Sequence, residues 1–178
     1  MASQLIVWRH PRPHDVAGRC IGRTDVRVPA RRAKRLARRI QKQARLQGWP
    51  RIVHTSPLHR AASVGRWLRR WGWQHVLDPA LMEADFGAWD GLAWGDIARH
   101  EVDAWCTDFA AHCPGGGESL TEVLARAQAW QGDGQTVLVV GHAGWMLARR
   151  WAMSGARPPQ RADEWPWPPA YGECWVLC

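Results

Sequence analysis

The sequence lacks the cysteine patterns of a disulfide framework and of a zinc site. Its five cysteines are odd in number, and no two of them form a C-x-x-C pair. Evenly paired cysteines are typical of small secreted domains, and closely spaced pairs are typical of structural zinc sites. We therefore expect unpaired thiols, no metal site and a reducing compartment.

Long apolar segments are also missing. A helix that crosses a bilayer needs about 20 apolar residues, and Arg149 and Arg150 interrupt the best candidate. The chain runs from Met1 into a short apolar stretch that ends at Trp8, without the basic start and longer apolar region of a secretion signal. We expect a cytoplasmic protein with no membrane partner.

Composition gives no sign of disorder or of internal repeats. Hydrophobic residues make up 46% and charged residues 22% of the 178 positions, which is close to the average of globular proteins. A chain of this length buries roughly two thirds of its surface when it folds. We predict a single domain over residues 1–178.

Positive charge is concentrated in the N-terminal part of the chain. Residues 1–70 carry 18 basic side chains, 16 of them arginine, against Asp15 and Asp25, whereas the remainder is net acidic. Such a field attracts phosphorylated metabolites, nucleic acids or anionic membranes, and the planar arginine fork favours phosphate. The basic run over residues 31–45 is also consistent with an ordinary solvated helix face.

Short apolar runs alternate with helical patterns along the chain. Apolar runs at 5–8, 52–53 and 137–140 predict buried strands, and weaker patterns predict strands at 75–77 and 174–177. Helices are predicted from Pro29 to about Gln47 and over 58–71, and Ser119 with Glu122 forms a capping box before a helix that ends near Trp130. This alternation predicts an α/β fold of three layers, with a mostly parallel central sheet and helices on both faces.

Chemically active side chains follow three of the predicted strands. His10 follows the first strand, Arg60 comes after the Ser56-Pro57 turn behind the second, and His142 follows the strand at 137–140. Ligands of such folds bind beyond the carboxyl ends of the strands. We expect these side chains to meet at one edge of the sheet, with Arg9 beside them.

This set of residues suits phosphoryl transfer, which needs a nucleophile, cationic donors and an acid. His10 can be the nucleophile, because imidazole has a free ring nitrogen near neutral pH. Arg9 and Arg60 can bind the phosphate oxygens, His142 can donate a further hydrogen bond, and Glu83 can protonate the leaving group. The chemistry needs no metal or other cofactor, and the chain contains neither a Walker-type phosphate loop nor an H-E-x-x-H motif.

Five segments resemble motifs of the histidine phosphatase superfamily, which is also called the phosphoglycerate mutase-like fold. They are L-I-V-W-R-H-P at 5–11, S-P-L-H-R-A at 56–61, L-M-E-A-D-F-G-A-W-D-G at 81–91, P-G-G-G-E-S at 114–119 and V-V-G-H-A-G at 139–144. The resemblance implies that His10 becomes phosphorylated, that Arg60 binds phosphate, that Glu83 is the proton donor and that His142 is the second histidine of the site. It implies a phosphomonoester hydrolase for a small phosphorylated metabolite.

The first loop departs from the family pattern. Pro11 stands where the family has glycine, which removes one backbone N–H near the phosphate. The asparagine that many members have further along this loop has no equivalent at 12–18. Arg12, Arg19 and Arg23 are the candidate replacements.

Several functions compete for this sequence. The chain is shorter than the family's cofactor-dependent mutases, which favours hydrolysis over a mutase-like phosphotransferase. The stretch at 18–26 resembles the α-ribazole phosphatase branch, so α-ribazole 5'-phosphate is a candidate substrate. A non-catalytic module that binds anions or nucleic acids is the alternative from another class, although no nucleic-acid motif is present and we expect no nucleic-acid partner. The oligomeric state is left open.

Tryptophan is abundant, with 14 residues. Scattered tryptophans mostly serve core and edge packing. Only Trp165 and Trp167, in the Trp- and Pro-rich tail, are predicted to form part of a pocket wall.

Overall fold

A five-stranded sheet forms the centre of the computed structural model, which describes residues 4–177. Its strands are β1 (Gln4–Arg9), β2 (Ile52–Thr55), β3 (Gln74–Leu77), β4 (Thr136–Gly141) and β5 (Cys174–Leu177). They lie in the order β3-β2-β4-β1-β5; the first four are parallel, and β5 runs antiparallel along β1 at the edge. Residues 1–3 and Cys178 lie outside the described residues. The predicted absence of a secretion signal concerns, in part, these first three residues.

Helices cover both faces of this sheet. The α-helices of the described residues are α1 (Ala30–Gln47), α2 (His59–Arg70), α3 (Arg99–Thr107), α4 (Leu120–Ala129) and α5 (Ala143–Met153). Helices α1 and α2 pack together over one face, and α4 and α5 pack together over the other. The predicted three-layer α/β fold with a mostly parallel sheet is therefore confirmed. Within residues 4–177, no helix is both long and apolar enough to cross a membrane.

The unbroken apolar run of β1 arises because this strand is buried on both faces. Ile6 and Trp8 pack in the core under α1 and α2, whereas Leu5 and Val7 pack in the core under α4 and α5. Successive side chains of a strand point to opposite faces, and each buried large apolar side chain contributes about 1.5–3 kcal/mol. The strand therefore holds the two layers together and fixes the position of the residues that follow it.

Local signals set the helix ends close to their predicted positions. Pro29 precedes α1, and Gly48 ends it with a left-handed φ of 66°, which glycine adopts without steric cost. The capping box is present, since the Ser119 hydroxyl accepts from the Glu122 N–H while the Glu122 carboxylate accepts from the Ser119 N–H. These terminal contacts place the loops that lead into the site.

A third, smaller apolar cluster joins the loop after β1 to the segment around α3. Cys20, Trp89 and Ile97 form its buried centre, and Phe86 and Trp105 pack against it. The two segments also meet in an isolated bridge between Arg19 and Ala93. This cluster holds the two segments together, and it does so without side chains from the central sheet.

Candidate active site

Three neighbouring strands deliver polar side chains to one edge of the sheet. His10 follows β1, His142 follows β4 and Ser56 follows β2, and these strands lie side by side. The His10 N–H donates to the Gly141 carbonyl at 2.9 Å, and the His10 and His142 rings lie 5.1 Å apart between centroids. Parallel strands end at the same edge, which explains how residues 132 positions apart meet.

The hydrogen bond of His10 defines its tautomer. Nδ1 lies 2.8 Å from the Pro11 carbonyl oxygen, and a carbonyl oxygen only accepts, so Nδ1 carries the proton. Burial and the charge of Arg60 lower the pKa of His10 well below its ordinary value. The ring is therefore neutral near pH 7, with the lone pair of Nε2 free.

His142 is held from both sides of its ring. Arg60 Nε donates to Nδ1 at 3.2 Å, so Nε2 carries the proton and donates to the Ser56 hydroxyl at 2.6 Å. Its side chain is 0% exposed, and burial together with the charges of Arg60 and His10 lowers its pKa well below the ordinary value. The structure thus brings His142 against His10 and Arg60, behind the cavity wall rather than on it.

Arg60 is a buried arginine with a fixed orientation. It is 1% exposed, and its terminal nitrogens donate to the Thr24 carbonyl at 2.8 Å and to the Gly22 carbonyl. With the bond to His142, three of its five N–H donors are used. Burial lowers the pKa of Arg60, although the nearby negative charges of Glu83 and other carboxylates act to raise it. Two N–H groups are left for an anion.

The C-terminal tail holds Arg9. Its guanidinium donates to the Pro169 carbonyl at 2.6 Å and lies over the Tyr171 ring, 3.8 Å from the centroid. The Tyr171 ring also lies 5.6 Å from that of His10. Burial lowers the pKa of Arg9, against the opposing effects of Tyr171 and Glu83. Sequence reasoning missed Tyr171, although it is the single tyrosine of the chain.

Glu83 lies at the N-terminus of α5. Its carboxylate accepts from the backbone N–H groups of Gly144, Trp145 and Ala84 at 3.1–3.2 Å. Free N–H groups and the helix dipole make this a favourable place for a carboxylate. A Cβ added at Gly144 would lie 2.3 Å from Glu83 Oε1, so glycine at this position leaves room for the carboxylate.

Asp90 organises the first loop and was not singled out from the sequence. It accepts from the backbone N–H groups of Gly22, Arg23 and Thr24. Burial opposes its charged form, but hydrogen bonds from Thr24 and its neighbours outweigh burial and lower the pKa of Asp90. The same loop turns its Gly22 and Thr24 carbonyls toward Arg60, so Asp90 acts on the site through the loop.

Two further carboxylate contacts brace the surrounding loops. Asp25 accepts from the His59 N–H, so a carboxylate of the first loop occupies the start of α2. Arg126 donates to the Ala80 and Met82 carbonyls and pairs with Glu118 at 2.9 Å. These bonds fix the segment that carries Glu83.

The three arginines proposed as replacements for the missing asparagine occupy different places. Arg23 pairs with Asp85 at 3.2 Å and Glu118 at 3.1 Å. Arg12 is exposed and does not line the cavity, whereas Arg19 lines it and donates to the Gly91 carbonyl at 2.9 Å. Arg19 is therefore the only one of the three on the cavity wall.

The site opens into a cavity of about 520 Å³. One end is lined by Arg9, His10, Arg60 and Glu83, which we call the polar floor. Six aromatic side chains line the cavity. Tyr171 lies beside Arg9 and His10 of the floor, and we call the other five the aromatic wall: Phe86, Trp94, Trp105, Phe109 and Trp165. No residue of α1 lines the cavity, so the basic helix is not part of this pocket.

The prediction for the tryptophans of the tail is right for one residue and wrong for the other. Trp165 lines the cavity, where its ring lies 6.4 Å from that of Phe109. Trp167 is 93% exposed and does not line the cavity. In an irregular loop, side chains two positions apart point in unrelated directions. The sequence pattern alone does not determine these directions.

Two curated relatives share part of this sequence. A metal-independent phosphoserine phosphatase of Arabidopsis thaliana is 28% identical over 162 residues, which cover 82% of this chain and 66% of the relative. A bifunctional protein of Mycobacterium tuberculosis is 36% identical over 100 residues, which cover 51% of this chain. The match spans only 27% of the length of that longer relative.

Solved structures share the fold. The mycobacterial glucosyl-3-phosphoglycerate phosphatase has a TM-score of 0.76 at 26% identity, with 99% of this chain and 90% of that chain covered. YhfR of Bacillus stearothermophilus has a TM-score of 0.79 at 23% identity, with 98% and 90% covered. Residues 5–171 match the histidine phosphatase superfamily (branch 1). With the site described above, this extent of match establishes that the chain belongs to the histidine phosphatase superfamily.

Proposed function

We propose that this protein is a metal-independent phosphatase that hydrolyses phosphomonoesters through a phosphorylated His10. One observation carries the proposal: the polar floor combines a neutral histidine, whose Nε2 is free, with Arg9 and Arg60. A neutral imidazole is a nucleophile, and arginines bind the oxygens of a phosphoryl group. Glu83 lines the same cavity and is the acid of the set.

In the first step, the Nε2 lone pair of His10 attacks phosphorus and the ester P–O bond breaks. The leaving alkoxide takes a proton from Glu83, which enters this step as the carboxylic acid that the second step regenerates and which the N-terminus of α5 holds in place. Arg9 and the two remaining N–H groups of Arg60 stabilise the charge on the phosphoryl oxygens. The Nδ1–H bond to Pro11 stabilises the positive charge that develops on the His10 ring.

In the second step, water attacks the phosphoryl group and the P–N bond breaks. Glu83, now a carboxylate, takes the proton of the water, and inorganic phosphate leaves. Both steps use the same polar floor, so no second set of residues is needed. The alcohol and the phosphate are the two products.

His142 supports this chemistry through Arg60. Both of its ring nitrogens are engaged, so we propose that it keeps the Arg60 guanidinium in position. A direct hydrogen bond from His142 Nδ1 to phosphate requires Nδ1 to gain a proton and the bond from Arg60 to open. A phosphate dianion favours that protonation, because an adjacent negative charge stabilises imidazolium.

The relatives support the reaction class. The Arabidopsis relative is named a metal-independent phosphoserine phosphatase, and the mycobacterial phosphatase has been solved with VO3 and with inorganic phosphate. Among residues 4–177, no three histidine, cysteine or acidic side chains are grouped as a metal site. The mechanism given above uses only protein groups.

We propose that the substrate is a small phosphorylated metabolite. The resemblance of residues 18–26 to the α-ribazole phosphatase branch makes α-ribazole 5'-phosphate the candidate to test first. A cavity of about 520 Å³ falls within the usual 300–1,000 Å³ of small-molecule sites. It therefore has room for a phosphate and a compact alcohol.

The test is hydrolysis in EDTA of p-nitrophenyl phosphate, α-ribazole 5'-phosphate and 3-phosphoglycerate. Wild type should hydrolyse at least p-nitrophenyl phosphate, and His10→Ala should be at least about 1,000-fold slower because the nucleophile is gone. His14→Ala is the matched control, since His14 lies in the same loop and is exposed. Phosphorylated wild-type protein trapped during turnover should lose its phosphate in acid and keep it in alkali, as a P–N bond does.

Equal rates for wild type and His10→Ala would overturn the phosphohistidine mechanism. Loss of activity in EDTA with recovery on adding a divalent metal would overturn metal independence. The best substrate of the panel decides whether α-ribazole 5'-phosphate is retained as the candidate.

A further inference from the structure

The cavity extends well beyond the residues that would handle phosphate. The aromatic wall comes from three separate parts of the chain, namely the Glu83 loop and the segment after it, helix α3 with its C-terminal extension, and the tail. Prolines and aliphatic side chains also line the cavity, among them Pro13, Ile21, Leu120, Leu147 and Pro166. This part of the cavity is apolar on several sides.

Trp105 is the centre of the aromatic wall. Its ring lies 6.1 Å from Phe86 and 5.3 Å from Phe109, and it is parallel to the Trp94 ring at 6.4 Å between centroids. Trp165 continues the series from Phe109. Rings that pack on one another in this way have little freedom to reorient, so they offer a ligand a preformed apolar surface at low entropic cost.

Free charged groups are scarce around the aromatic wall. Glu118 lines the cavity but is bound by Arg23 and Arg126. Arg19 also lines it; one of its N–H groups donates to the Gly91 carbonyl, and its side chain is exposed to solvent. A substrate with an ammonium or several hydroxyls would lose water against the rings and aliphatic side chains without gaining matching partners, which costs binding energy.

We propose that the aromatic wall binds the alcohol portion of the substrate, and that this portion carries a flat aromatic ring system. The inference rests on the proposed function, because the phosphate is placed on the polar floor beside His10. A flat ring would stack on the indole faces, as bases stack on aromatic side chains in single-strand binding proteins. Sugar, glycerate and serine phosphates are then the poorer substrates.

The experiment compares ethyl phosphate with 2-(2-naphthyl)ethyl phosphate. Both have primary alkoxide leaving groups, so the chemical step is alike and the naphthyl ring is the variable. Stacking of one ring on aromatic residues is worth enough to raise kcat/KM for the naphthyl ester about tenfold or more. O-Phosphoserine and 3-phosphoglycerate should resemble ethyl phosphate or be slower.

Two tryptophans of the tail provide a matched pair of variants. Trp165→Ala removes a ring of the wall, whereas Trp167→Ala removes an exposed ring two residues away. Trp165→Ala should reduce the preference for the naphthyl ester over ethyl phosphate to about twofold. Trp167→Ala should keep the full preference. Trp94→Ala, at a residue that is 41% exposed, repeats the test without opening the core.

The outcomes separate this inference from the proposed function. One outcome is that p-nitrophenyl phosphate is hydrolysed in a His10-dependent way but the two alkyl esters have equal kcat/KM. The proposed aromatic substrate class is then wrong, and the proposed phosphatase activity is retained. If no ester is hydrolysed, calorimetry with 2-(2-naphthyl)ethylphosphonate decides. Binding that Trp165→Ala weakens and Trp167→Ala does not would support the wall, and absence of binding would overturn it.

Discussion

The polar floor and the aromatic wall share one cavity but are built in opposite ways. The floor stands on strand ends and helix starts, where His10, Arg60 and Glu83 are each fixed by backbone groups. The wall stands on loops and the short helix α3, where Trp105 is fixed mainly by other rings. Hydrogen bonds therefore restrict the orientation of the floor side chains, whereas the wall side chains are positioned by ring packing without directional bonds.

This difference indicates where specificity and chemistry reside. Directional bonds to carbonyl and N–H groups hold the atoms that must align with phosphorus. Apolar contacts tolerate a change of ring with a smaller penalty, because dispersion has no preferred angle. Substitutions of His10 or of the floor arginines should therefore affect every substrate, whereas those in the wall should affect only some.

Among the substitutions that distinguish the floor from the wall, Arg60→Lys should have the largest effect. Lysine keeps the charge but loses the planar fork that holds the Thr24 and Gly22 carbonyls, so kcat/KM should fall about 100-fold on all esters. Steady-state kinetics on p-nitrophenyl phosphate and ethyl phosphate measures it. The control is Arg66→Lys, at an exposed position of the same helix, which should have the wild-type kcat/KM. A loss confined to one ester would place Arg60 outside the floor's common chemistry.

The next effect concerns the space that Gly144 leaves for Glu83. In Gly144→Ala the new methyl would meet the Glu83 carboxylate at 2.3 Å and displace it. Proton donation matters most for poor leaving groups, so ethyl phosphate should slow about tenfold while p-nitrophenyl phosphate changes little. Gly141→Ala is the control, because its methyl meets neighbours at 3.7 Å or more. Equal slowing of both esters would remove the link to proton donation.

The buried histidines of the site should make stability depend on pH. Burial and nearby arginine charge lower the pKa of His10, so below pH 6.5 the unfolded chain binds a proton that the folded chain does not. This contribution to the free energy of unfolding is therefore fully present above pH 6.5 and is lost as the pH decreases below that value. His10→Gln should lessen the loss between pH 6.5 and 5.5 by about 1 kcal/mol, measured by urea unfolding. His14→Gln should show the wild-type slope.

The smallest effect concerns Tyr171, which joins the tail to the floor. Tyr171→Ala removes the ring over Arg9 and should lower kcat/KM about three- to fivefold on all esters. Tyr171→Phe keeps the ring and should stay within about twofold of wild type. If Phe is as impaired as Ala, the hydroxyl rather than the ring face supports Arg9.

Several elements of the fold could be predicted from local patterns. Pro29 and Gly48 mark the ends of α1, and the capping box at Ser119 marks the start of α4, because these residues satisfy helix ends within a few positions. The apolar run of β1 predicts a strand buried on both faces. His10 and His142 could be placed at one edge because parallel strands end there.

Contacts between distant loops could not be predicted in the same way. Nothing near Tyr171 in the sequence indicates that it lies on Arg9, and nothing near Trp165 and Trp167 indicates that only the first lines the cavity. The role of Asp90 depends on three N–H groups about 67 positions away. These positions follow from how irregular segments fold over the sheet.

The sequence by itself determined the layers, the strand ends and the identity of the polar residues at the sheet edge, since these depend on short-range periodicity and helix-end hydrogen bonding. Only the tertiary structure decided the tautomers of His10 and His142, the space for Glu83 beside Gly144 and the shape of the aromatic wall. The physical reason is that hydrogen-bond partners and ring contacts far apart in the chain are set by packing, which has no local period.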